Sequence, residues 1–138
     1  MLFVIAIAGC VSQTSVDRTQ EFVSSFSYTV GKGKCSGTNQ TQLGASADPA
    51  NPQHYILQGS LYSSTPCWAA SAQATFKQGK IVVDILTFES NKGQACIQCT
   101  GALPFKADLT LKRPLGGELT GILVEQNGHP VLEITAQG

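Results

Sequence analysis

From Leu103 to Leu111 every second residue is apolar. Leu103, Phe105, Ala107, Leu109 and Leu111 alternate with Pro104, Lys106, Asp108 and Thr110. In an extended chain successive side chains point to opposite faces, so this period gives a strand with one buried and one wet face. A helix would scatter the same residues around its circumference. The period recurs along the chain. Phe22, Ser24, Phe26, Tyr28 and Val30 fall in phase, as do Tyr55, Leu57, Gly59 and Leu61. Ala70, Ala72, Ala74 and Phe76 follow the same rule; helical spacing would leave Phe76 no apolar partner one turn back except Ala72. Ile81 to Phe88 is apolar in both phases and reads as a central strand, covered on both faces. Pro104 has no N–H to give to a ladder, which places the 103–111 strand at an edge or at the start of pairing.

Turn chemistry separates these runs. Gln78-Gly79 and Asn127-Gly128 are two-residue loops, and Asn-Gly supplies the left-handed residues that a type I′ hairpin requires. The last hairpin therefore joins 119–126 to 129–135, with Leu123 opposite Leu132 and Leu119 on the same face. Cys35 to Gln53 is rich in Gly, Ser, Asn, Thr and Pro and reads as a loop, a long one for a compact domain. The sum is about seven strands in roughly 115 residues, the signature of an all-β antiparallel β-sandwich of immunoglobulin-like size, with a small β-barrel as the alternative. One domain, residues 21–138, accommodates all of them.

The chain has 138 residues, with 9 Lys+Arg against 9 Asp+Glu. No basic excess is present to neutralise phosphates, so no nucleic-acid partner is expected. Hydrophobic residues make up 42%, enough to build a core and too many for a disordered chain. No run of apolar residues approaches the ~18 needed for a membrane-spanning helix.

The apolar residues Leu2 to Ala8 would reach only ~11 Å as a helix, against ~30 Å of hydrocarbon, which suits the h-region of a secretory signal rather than a membrane span. Ile7-Ala8-Gly9-Cys10 follows, small residues before a cysteine. This segment resembles the lipobox of prokaryotic lipoproteins. The resemblance implies a signal peptide over residues 1–9, a diacylglycerol on Cys10, a flexible tether to residue 20, and anchoring on the extracytoplasmic side of a membrane. No Lys or Arg precedes the apolar run, a departure from the pattern that an upstream start or a truncated signal accounts for.

Four further cysteines, Cys35, Cys67, Cys96 and Cys99, make an even number in an exported domain and point to two disulfides. If Cys96-Ile-Gln-Cys99 is extended, its two thiols face opposite sides and take separate partners. Cys35 and Cys67 are then the partners, in an order the spacing leaves open. A redox C-x-x-C needs its first thiol at a helix N-terminus, and turn and strand signals follow here instead. A zinc site ordinarily has two such knuckles, and His54 and His129 are far away in sequence. No metal or cofactor is expected.

The remaining candidates carry little chemistry. His54 and His129 read as solvated loop residues. Asp84, in the apolar strand, is either a buried carboxylate or a solvent-facing group that meets a lysine; Glu89, five residues on, faces the other side. Trp68 reads as packed against a disulfide or at the rim of the core. Asn39-Gln40-Thr41 matches the N-glycosylation acceptor pattern. There is no nucleophile elbow, carboxylate pair or metalloprotease helix, so no catalytic residue is assigned. The expected role is non-catalytic, binding or structural, at the cell envelope, with an envelope protein or glycan as partner. Two alternatives stand beside it: a surface-assembly subunit that donates Phe22–Val30 to a neighbour's sheet, and a redox or metal protein using Cys96 and Cys99.

Overall fold

The computed structural model describes residues 17–90 and 95–136. One helical turn, α1 (Thr19–Phe22), precedes nine strands: β1 (Val23–Val30), β2 (Lys34–Cys35), β3 (Gln42–Asp48), β4 (Asn51–Ser63), β5 (Trp68–Lys77), β6 (Lys80–Glu89), β7 (Gly101–Leu111), β8 (Gly121–Gln126) and β9 (His129–Thr135). They form two sheets. The first has the order β1-β7-β4-β3, with β2 pairing the start of β7 beyond β1; the second has the order β5-β6-β8-β9. The inner faces interdigitate. Leu57, Leu61, Leu103, Phe105, Ala107, Leu109 and Leu111 from one sheet meet Ile81, Val83, Ile85, Ile122 and Val124 from the other, all buried. The molecule is a β-sandwich and not a closed barrel.

β2 and β3 lie in the stretch that composition marks as loop. β3 does alternate, with Leu43, Ala45 and Ala47 against Gln42, Gly44 and Ser46. Its residues are so small that the hydrophobic contrast between the phases is faint.

Three further expectations are corrected. β7 lies inside the first sheet, paired with β1 on one side and β4 on the other. Pro104 is tolerated there because its carbonyl and its missing N–H point to the β1 side, where the chain leaves the ladder between β1 and β2. The carbonyl accepts from Gly31 N at 2.7 Å, and no donor is needed. Pairing in the second sheet is mixed, because β6 and β8 run parallel. The chain goes from β6 into the first sheet as β7 and returns as β8, the long connection that a parallel pair demands. In the last hairpin Val124 faces Leu132 and Glu125 faces Pro130, so Val131 is an extra residue and Leu123 falls opposite Glu133. In β8 itself Ile122 and Val124 point inward and Leu123 does not. The turn itself is as read: Asn127 and Gly128 have φ of 52° and 84°, and Gln78-Gly79 repeats the pair.

Phe22 is buried by a route other than strand alternation. It ends α1, and an extra residue at Ser24 resets the phase so that Phe26, Tyr28 and Val30 point inward. Phe22 stacks on Phe76 of β5 with centroids 4.1 Å apart, and the Arg113 guanidinium sits 4.6 Å from its ring. Arg18 lies 5.4 and 5.5 Å from the two rings and pairs with Glu21 and Glu118. Thr19 Oγ1 accepts from Phe76 N at 2.9 Å. Residues 17–20, counted with the tether from sequence, are therefore docked on the domain.

Candidate functional site

The four cysteines converge at one end of the sandwich. β2 places Cys35 beside Gly101 at the start of β7, and Cys35 bonds Cys99 with Cα atoms 5.6 Å apart. Cys67, in the β4–β5 connection, bonds Cys96 with Cα atoms 6.1 Å apart. Cys96 and Cys99 thus take separate partners, although the segment is turned, with Cys99 N donating to Ile97 O at 3.1 Å. Each thiol is spent on tying the segment before β7 to a different strand connection. Glycines allow the close approach. A Cβ on Gly33 would stand 2.1 Å from the Pro66 carbonyl oxygen, and one on Gly101 2.3 Å from that of Thr65. Polar groups complete the staple: Ser63 Oγ donates to Thr65 O at 2.7 Å, and Ser90 N to Cys67 O at 3.0 Å.

A shallow cleft opens at this end between the β1–β2 connection and the start of β5. Gly31, Lys32, Gly33, Pro66, Trp68 and Ser90 line it. Trp68 is half-buried at the rim of the core, one side on the core and the other on the cleft. Three large apolar side chains are exposed in the same half of the molecule: Leu86 and Phe88 on the outer face of β6, and Ile97 between the staple cysteines, 70% exposed. The reading of 81–88 as covered on both faces fails at its end. The outer face of the second sheet is left open there.

His54 is not a loop residue. It lies in β4 on the outer face of the first sheet, half-buried between two carboxylates. Its Nδ1 is 3.1 Å from Asp48 Oδ2, at the β3–β4 turn, and its Nε2 is 2.8 Å from Asp108 Oδ1 on β7. The hydrogen bond to Asp48, and then that to Asp108, raises the imidazole pKa above its ordinary value; the imidazolium can donate from both nitrogens at once. Asp48 is in turn held low by the Ala50 N–H and by His54. The cluster pins three strands together. Because the folded pKa is raised, its contribution is fully present below the unfolded value near ~6.5 and is lost as pH rises through the folded value. His54→Gln should therefore lower the melting temperature most at acidic pH, with the deficit shrinking at alkaline pH. A deficit that is the same from pH 5 to pH 9 would count against this account.

The remaining positions are structural or solvated. Asp84 faces solvent on β6, with Lys77 Nζ 3.9 Å away. His129 opens β9 and is exposed, and Asn39 is exposed in the β2–β3 connection. The acceptor hydroxyl of its Asn-Gln-Thr pattern is engaged in the fold. Thr41 Oγ1 accepts from Tyr62 N at 2.9 Å and donates to the Gln126 carbonyl oxygen, while Gln126 Nε2 donates to Tyr62 O at 2.9 Å. This buried bridge between the sheets has no local signal in the sequence. Among the described residues no group of three His, Cys, Asp or Glu is placed to hold a metal. Cys10 lies outside the described residues.

The two ends of the sandwich differ. α1 enters where Val23 meets Leu111, and the staples lie where Cys35 meets Gly101. Along β7, at about 3.3 Å per residue, these points are about 30 Å apart. No family model, curated protein or solved structure matches the chain.

Proposed function

We propose that this chain is an exported lipoprotein whose sandwich is a non-catalytic binding module, held to the outer side of a membrane through Cys10. The observation that carries the reading is the opposition of the two ends. The described chain begins at the Arg18 and Phe22 end, so a lipid on Cys10 would be tethered from that end, and the doubly stapled end, with its cleft and exposed Ile97, would be turned toward a partner. Two disulfides fit an oxidising, extracytoplasmic compartment, where such bonds persist. The partner class is an envelope protein or glycan that meets Trp68, Lys32 and Ile97 at the distal end. Aromatic and apolar anchors beside glycine backbone suit that kind of contact.

Intact mass and membrane fractionation in the native host test the reading. The mature chain should begin at Cys10, carry acyl mass and sediment with membranes. Cys10→Ser should move most of it to the soluble fraction, because one or two buried acyl chains supply the anchoring. A chain that retains Met1, without acyl mass, overturns the lipoprotein reading.

A further inference from the structure

The four outer edges of the sandwich are not equally guarded. In the second sheet β9 carries Pro130, a bulge at Val131 and Glu133, which pairs with Lys80. β5 ends in Lys77, and the N–H of Phe76 is capped by Thr19. These are the devices by which natural sheets block edge pairing. The first sheet has them only at strand ends, the β1 bulge between Val23 and Ser25 and the β3 irregularity between Ala47 and Asp48. β1 keeps an unbroken register over Ser25–Val30 and β3 over Gln42–Ala47, and no residue of either run is charged or proline. The β1 bulge lies at its α1 end, and the one β3 carboxylate, Asp48, is held by His54. Among the described residues no strand pairs with the free side of either run.

We propose that β1 and β3 are the two halves of one interface, by which copies of this chain join edge to edge into a row. Along β1-β7-β4-β3 the strands alternate in direction, so β1 and β3 run opposite ways. A second copy, shifted sideways without turning, sets its β1 antiparallel to the first copy's β3. The inner sides then agree: Phe26, Tyr28 and Val30 of one copy lie level with Ala47, Ala45 and Leu43 of the next, the two aromatic rings against alanines. Tyr28, 37% exposed at the edge, would be covered. Two-fold pairing of β3 with β3 is the rival. Its antiparallel form turns one copy end for end, which two chains anchored in one membrane at the same end cannot do. Its parallel form sets the inner face of one sheet level with the outer face of the other. The choice of a sideways row over the antiparallel two-fold rests on the lipoprotein reading; the unguarded edges do not. Such a contact is head-to-tail and does not close, so it grows by addition.

The test is hydrogen exchange on the full chain from its host, in vesicles at low and high protein density, with intact mass of the same sample reporting acylation. Amides of 25–30 and 42–47 should slow together, by roughly tenfold or more, while those of β5 and β9 stay unchanged. Ala45→Lys, at an exposed position, should abolish the effect at both edges with the melting temperature kept. Tyr28→Lys should do the same from the other side. A mixture of the two variants retains one sound β1 and one sound β3, and should give dimers that stop there. No slowing at high density overturns the proposal, and so does slowing at β3 alone. An unacylated chain that still slows at both edges removes the anchor and leaves the row standing.

Discussion

Phe22→Ala should cost about 3–5 kcal/mol, the range for removing a fully buried phenylalanine. Phe22 has no exposed surface, and its ring closes the sandwich at the end where the chain enters. The substitution removes the stack on Phe76 and leaves the Arg113 and Arg18 guanidinium groups without the ring they cover. For a domain of this size the melting temperature should fall by on the order of 10–20 °C. Phe26→Ala, on a half-buried neighbour that does no such closing, should cost clearly less. Chemical denaturation of the two variants side by side checks the order. Equal losses would show that the Phe22 cap is ordinary edge packing and that the helical turn adds nothing to the domain.

The second large effect is expected from the staples. Cys67 and Cys96 are 29 residues apart and Cys35 and Cys99 are 64 apart. In the chain-entropy model loops of these sizes give about 3.5 and about 4.3 kcal/mol. Cys35→Ala with Cys99→Ala should therefore destabilise slightly more than the Cys67 and Cys96 pair. Reduction of both bonds should bring the domain close to unfolding at body temperature, since whole-domain stabilities are only about 5–15 kcal/mol. Equilibrium unfolding with and without a reductant, read by tryptophan fluorescence from Trp68, measures it directly. A reduced protein with an unchanged midpoint would mean that the bonds only tie down loops already ordered by the Thr65, Ser63 and Ser90 hydrogen bonds.

How much of this was legible in the sequence depends on what each feature is made of. Strong alternation located β4, β5 and β7, a run apolar in both phases located β6, and left-handed turn residues located both tight hairpins, because each signal is local in the sequence. β3 was lost because Ala, Gly and Ser alternate without contrast. The interior place of β7 was hidden because periodicity reports faces and not neighbours, and Pro104 gave a correct local rule whose exception lay in the gap between β1 and β2. The Val131 bulge moved Leu123 from opposite Leu132 to opposite Glu133, a shift that only the partner strand can reveal. At the candidate site the separate partners of Cys96 and Cys99 were expected from an extended segment that is in fact turned, and their order depended on strand placement. His54 was misread because its carboxylates come from Asp48 and Asp108, six and 54 positions away.

The excursion of the chain through β7 between β6 and β8 has a kinetic consequence. The parallel centre of the second sheet joins β6 to β8 across the whole β7 excursion, so it is a long-range pairing. Most native pairs join residues distant in sequence, and such topologies fold in milliseconds to seconds rather than microseconds. Removing the C-terminal hairpin would leave β6 with one bare flank and take Ile122 and Val124 out of the core.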